Sequence, residues 1–129
     1  MDDFTGDAAL YLDIYGGLLT KKQAEILDFY YNEDYTLSEI ASGLKISKQA
    51  AHDAVKSGTA SLLNYESELG LVRNYKASTD IGTELSEVRS ALAIIKKIAL
   101  GSKNTELNIQ LDRIETAAGR VEKIIDRIY

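Results

Sequence analysis

The sequence predicts an all-α fold: a helix-turn-helix head followed by a long two-helix heptad hairpin. Three observations predict it. There is no Pro in 129 residues of which 45% are hydrophobic, so long helices meet no built-in breaker. Two capping boxes, Thr20 with Gln23 and Thr36 with Glu39, each open a run of apolar residues at helical spacing. From Ile81 onward the apolar residues repeat in heptads.

Residues 1–6 are expected to fray, and the first helix is expected over residues 7–18. Leu10, Ile14 and Leu18 mark its apolar stripe, with Tyr11 and Tyr15 beside it. Asp7 suits the N-terminal end, where the helix dipole favours negative charge. Gly16-Gly17 loosens or ends this helix. Thr20 then opens a second one over residues 21–32, with Ala24, Leu27, Tyr30 and Tyr31 inside and Ile26 near one edge. Asn32-Glu33-Asp34-Tyr35 is a loop, and its two adjacent acids read as solvated rather than as metal ligands.

Residues 36–56 carry the helix-turn-helix. Leu37, Ile40, Ala41 and Leu44 form one stripe after the Thr36 cap. Lys45 and Ile46 make the turn, with Ile46 pointing inward. Lys45 stands at the turn position that favours Gly, and Gly43 is the alternative place for the bend. Ser47 caps the next helix. Its inner face is read as Ala50, Ala51, Ala54 and Val55, small enough for two helices to cross closely. Lys48, Gln49, His52, Asp53 and Lys56 are left facing outward, as the residues that would enter a major groove. The plainer alternative is a pair of helices in a small bundle. This helix is expected to run to about residue 68, with Gly58 in its middle and Gly70 at a left-handed C-terminal position.

Beyond Gly70 lies the expected boundary, giving a helix-turn-helix domain at residues 1–70 and a helical hairpin or coiled-coil dimerisation region at residues 71–129. Ile81, Leu85, Val88, Leu92, Ile95 and Ala99 form one heptad seam; Leu107, Leu111, Ile114, Ala118, Val121, Ile125 and Ile128 form the other. A turn at residues 101–105 joins them, and Asn104 or Thr105 can cap the second helix. The pair can close within one chain or between chains. Ala91, Ile94, Ile98, Ala117 and Ile124 lie beside the seam and need a further surface, either the N-terminal domain or a second copy; the second points to a homodimer formed through the heptads of residues 81–128.

Composition bounds the function. There is no Cys and a single His, so neither thiolate metal sites nor disulfides are available. The acidic N-terminus lacks the basic and apolar regions of a secretory signal, and no apolar run reaches 18 residues, so membrane insertion is not expected and the location is read as cytoplasmic. Net charge is −5, with −6 of it in residues 1–35 and +1 in residues 36–65. His52 and Asp53 are adjacent on a helix and diverge by about 100°, which argues against a catalytic relay. No Gly-rich phosphate loop is present. Neither an enzyme, a cofactor nor a metal is expected. The eight Tyr residues read mostly as packing.

A wider set of residues carries a resemblance. Tyr15-Gly16, Leu18-Leu19-Thr20, Lys22-Gln23, Tyr30-Tyr31, Asp34, Leu37-Ser38 and Glu39-Ile40-Ala41 belong to it. So do Ser47, Gln49-Ala50, Asp53, Lys56, Tyr65-Glu66 and Leu69-Gly70-Leu71. Together they resemble the YlxM family of small bacterial proteins over roughly residues 7–75, and the helix-turn-helix is similar to region 4 of bacterial sigma factors, which reads promoter DNA. The heptad tail is only loosely similar and reads as longer than is usual in the family. The resemblance implies an all-helical protein with a DNA-binding-type head, encoded near signal recognition particle components and accessory to that pathway. The sequence departs from the family at Lys48, where Arg is common, at His52, where an aromatic is common, and at Ser57-Gly58-Thr59, which replaces a more charged run.

Two functions follow. In the first, a DNA-binding regulator, Lys45, Lys48 and Lys56 contact phosphate, Ser47 sets the helix, and Gln49 and His52 face bases. In the second, an accessory protein, the head contacts signal recognition particle protein or RNA and does not read duplex DNA.

Overall fold

The computed structural model describes residues 4–101 and 103–128. Those residues form helices and connecting turns, with no strand among them. The chain divides into two compact units, residues 1–73 and 74–129.

The head begins with α1 (Phe4–Tyr15). It starts earlier than expected because the Phe4 ring packs edge-on against Tyr11 at 4.9 Å and Tyr31 at 5.2 Å, which holds the first turn. Fraying at residues 4–6 is therefore corrected; residues 1–3 lie outside the described residues. The buried line of α1 is Ala8, Tyr11 and Tyr15, while Leu10 and Ile14 are half-buried and Leu18 is exposed. A 3₁₀ turn over Gly16–Leu18 turns Leu18 off the α-helical stripe.

α2 (Lys21–Tyr31) opens on a complete capping box: Thr20 Oγ1 accepts from the Gln23 amide at 3.2 Å, and Gln23 Oε1 accepts from the Thr20 amide at 3.4 Å. Ile26 and Leu27 are buried at its centre. Ile26 is not an edge residue, because α1, α3 and α4 all pack on α2 and cover both of its flanks. Tyr30 and Tyr31 are half-buried, and the Tyr31 hydroxyl bonds Thr59 on α4 at 3.0 Å.

α3 (Leu37–Leu44) and α4 (Lys48–Leu69) form the helix-turn-helix. The inner line of α4 is Ala51, Val55, Gly58 and Leu62, at steps of 4, 3 and 4. Ala50 lies one residue, about 100°, off that line and is exposed, which corrects its placement inside. Gly58 has a packing role: a Cβ there would sit 2.7 Å from Leu27 Cδ1, so its absence lets α4 press against α2. The head core joins Tyr11, Tyr15, Ile26, Leu27, Ile40, Ala41, Ala51, Val55, Leu62 and Val72.

The head closes at a knot of hydrogen bonds. Gly70 ends α4 at φ 64°, in the left-handed region. The Tyr15 hydroxyl donates to Glu66 Oε1 at 2.7 Å and accepts from the Leu71 amide at 3.0 Å. Glu66 also accepts from the amides of Val72 at 2.9 Å and Arg73 at 3.0 Å. The first amides of α5 (Leu71–Ala99) therefore meet a carboxylate and a phenol. Burial opposes ionisation of Glu66, but the bonds from Tyr15, Val72 and Arg73 outweigh it and hold the carboxyl below its usual range. Burial, and then the bond to Glu66, raises the Tyr15 hydroxyl. Because Val72 is buried in the head core, the units part after Arg73, inside α5, three residues past Gly70.

In the second unit α5 continues and α6 (Thr105–Ile128) returns antiparallel to it within the same chain. Asn104 Oδ1 caps α6 by accepting from the Leu107 amide at 3.2 Å; Ser102, in the expected turn, lies outside the described residues. Arg89 pairs with Glu122, and Lys96 with Glu115 and, at 3.4 Å, Asp112. The bond to Glu115, with that to Asp112, holds Lys96 above the usual lysine range against the opposing effect of desolvation. The seam is half used. Leu92, Ala99, Leu111 and Ala118 are buried, whereas Ile81, Val88, Ile95, Leu107, Ile114, Val121 and Ile128 stay exposed. One position per heptad points at the neighbouring helix, and the next one points past it.

Candidate nucleic-acid interface

The turn between α3 and α4 sets the geometry of the site. Thr36 caps α3 by accepting from the Glu39 amide at 3.1 Å, and Glu39 Oε2 returns the bond to the Thr36 amide at 2.9 Å. α3 ends at Lys45, which itself adopts φ 56° and ψ 44°, so the bend falls on Lys45 and not on Gly43. The amides of Lys45 and Ile46 both donate to the Ala41 carbonyl, Ile46 at 3.0 Å, which closes the left-handed turn. Ile46 is half-buried against the head core. Ser47 then caps α4, its Oγ accepting from the Ala50 amide at 3.0 Å. Its hydroxyl thus fixes the start of α4.

Lys45, Lys48, Gln49, His52 and Lys56 are all exposed. At helical pitch Lys48, His52 and Lys56 line one stripe of α4, with Gln49 beside it. Asp53 organises this face. Its Oδ1 accepts from Gln49 Nε2 at 2.9 Å and lies 3.4 Å from His52 Nδ1. The divergence expected of His52 and Asp53 is therefore partly undone, as both side chains bend towards each other at the surface. The i, i+4 spacing of Gln49 and Asp53 is the sequence signal for the first of these contacts. Among the described residues, no three His, Asp or Glu side chains come together in a metal-holding group, and no helix is long and apolar enough to cross a membrane.

A short capped helix, a left-handed turn and a second capped helix packed across it on alanines define a helix-turn-helix protein. The comparison with known proteins gives the family. The chain belongs to the UPF0122 family, described as "Putative helix-turn-helix protein, YlxM / p13 like", whose family model matches residues 5–102. A UPF0122 protein of Acetivibrio thermocellus is 42% identical over 120 residues, covering 93% of this chain and 95% of the relative. One from Clostridium acetobutylicum is 36% identical over 107 residues, covering 83% and 87%. One from Caldanaerobacter subterraneus subsp. tengcongensis is 49% identical over 75 residues, covering 58% and 63%. The resemblance thus extends past residue 75 to the end of α5, and the Acetivibrio relative matches almost end to end, so the tail is not unusually long beside it.

Proposed function

We propose that this protein is a DNA-binding regulator that reads duplex DNA with the N-terminal half of α4. The supporting observation is the exposed set Lys48, Gln49, His52 and Lys56 on one side of a helix whose start is fixed by the Ser47 cap. Lys45, Lys48 and Lys56 supply phosphate contacts, and Gln49 can pair bidentately with adenine once it leaves Asp53. Three phosphate contacts give a slope of log K against log salt of about −3 per head.

A second reading is favoured by Asp53, which occupies both candidate base-reading side chains, and by the −6 charge of residues 1–35. In it the head is an accessory module that contacts protein or structured RNA, and the YlxM resemblance points to the signal recognition particle pathway.

Selection from a random duplex DNA library at physiological salt tests the first reading. The expected result is an enriched motif, with binding abolished in Lys48→Ala/Lys56→Ala. No enrichment, or binding unchanged in that variant, would overturn it and turn the search to the particle's protein and RNA.

A further inference from the structure

The two faces of the α5–α6 hairpin differ in kind. On one, Arg89 meets Glu122 and Lys96 meets Glu115, and the groove between the helices is lined by Gly82, Ser86, Ser90 and Ala93 together with Leu85 and Ile125. This face is mostly small or polar and its charges are already paired. At 100° per residue, the opposite face carries Val88, Ile95 and Ile98 from α5 and Ile114, Val121 and Ile124 from α6. These six side chains remain between 39% and 75% exposed. All lie in the compact second unit, and all are isolated from the salt-bridged side.

We infer that this apolar face is covered by the same face of a second copy of the chain, making a four-helix bundle about a two-fold axis parallel to the helices. Area supports a second copy. Covering such a face on both partners removes on the order of 1,200 Å², the lower end of what a specific, stable interface needs. The patch on one copy is at the upper limit of what a monomer leaves exposed. Self-complementarity fits too, since these six side chains carry no charge and an isologous contact needs none.

Charge at the rims selects the axis. The ion pairs set the register: a step of seven from Arg89 to Lys96 on α5 matches a step of seven from Glu122 back to Glu115 on α6. By the same register, Glu84 and Glu87 lie level with the stretch of α6 that holds Arg120 and Arg127. Glu87 rims the outer edge of α5, Glu84 sits on the apolar face at its N-terminal end, and Arg120 and Arg127 rim the outer edge of α6. A two-fold parallel to the helices keeps each level and lays α5 over the α6 of the second copy, acid on base. A two-fold across the helices would lay α5 over an antiparallel α5 and α6 over α6, so the acids of α5 would no longer face the bases of α6. This inference does not depend on what the head binds.

Sedimentation equilibrium of the full chain at tens of micromolar tests it. Wild type is expected to be a dimer; a clean monomer overturns the inference. Ile98→Glu and Ile124→Glu, at exposed positions that the monomer's own packing does not use, are each expected to give monomers with unchanged helical circular dichroism. A dimer that survives both overturns the assigned face. Glu87→Arg and Arg120→Glu are each expected to weaken the dimer several-fold, and the double reversal to restore it. Loss without restoration overturns the assigned axis. Should either Ile variant fail to fold, the charge-reversal series still decides, because those side chains are exposed and pack against nothing in the core.

Discussion

Removing one oxygen from the head measures how α5 is fastened to it. Tyr15→Phe keeps a ring that is fully buried and deletes only the hydroxyl that donates to Glu66 at 2.7 Å and accepts from the Leu71 amide at 3.0 Å. A hydrogen bond to a charged group contributes about 1.5–3 kcal/mol, so that is the scale of the loss. The Leu71 amide belongs to an exposed residue and can turn to water, so it adds little. The expected loss is about 2 kcal/mol, or a urea midpoint lower by about 1 M. Urea titration of the full chain, followed by near-UV tyrosine circular dichroism, reads it. A loss under about 0.5 kcal/mol, the noise level of surface changes, would refute the knot as a fastening. The same site has a pH signature. The Glu66 carboxyl is depressed in the fold, so its contribution is fully present above the unfolded carboxylate value of about 4.3 and is lost as pH falls through the lower folded value. The stability gap between wild type and Glu66→Gln should close over that acid window. The Tyr15 hydroxyl is raised, so its contribution is present below about 10 and lost as pH climbs through the raised value.

Two glycines in the helix-turn-helix should respond oppositely to alanine. Gly58→Ala gains about 1 kcal/mol of helix propensity but places a methyl 2.7 Å from Leu27 Cδ1 in a packed core, where overpacking costs about 1–3 kcal/mol, so a net loss is expected by urea denaturation. Gly43→Ala meets nothing within 4 Å and should stabilise by up to about 1 kcal/mol; equal effects at the two sites would contradict the close crossing of α2 and α4. Lys45→Gly relieves a left-handed residue and should stabilise the head by about 0.5–1 kcal/mol. If the head reads DNA through Lys45, the same variant should also flatten the salt slope by about 0.9. An unchanged slope would remove Lys45 from the phosphate contacts.

What could be read from sequence was whatever short-range chemistry decides. Both capping boxes, the Ser47 cap and the left-handed Gly70 depend on residues within three positions of one another, and each forms as read. Errors arose where distant groups decide. Phe4 reads as part of a frayed end until the ring of Tyr31, on another helix, is beside it. Ile26 reads as an edge until three helices surround α2. Ala50 reads as inside because Ala50, Ala51, Ala54 and Val55 are small enough for a close crossing, and the one-residue rotation that exposes Ala50 is invisible without α3. Gly58 reads as no more than a glycine in mid-helix, because the atom that needs its missing Cβ belongs to Leu27, 31 positions earlier.

The heptads mark the limit of periodicity most clearly. A run with steps of 4 and 3 states that one side of a helix is apolar, but it does not state how many neighbours that side meets. In the hairpin the seam divides: Leu92, Ala99, Leu111 and Ala118 turn towards the partner helix, while Val88, Ile95, Ile114 and Val121 turn past it. The ion pairs Arg89–Glu122 and Lys96–Glu115 fall on the opposite side and fix which face is finished. If the head binds DNA as proposed, the two inferences are linked. Its cations are few, so a single head with three phosphate contacts would lose affinity steeply as salt rises, and two heads joined through their hairpins would double the slope while raising the local concentration of the second head. On that reading, a chain whose hairpins cannot pair would keep the first half of α4 intact and lose the second set of phosphate contacts.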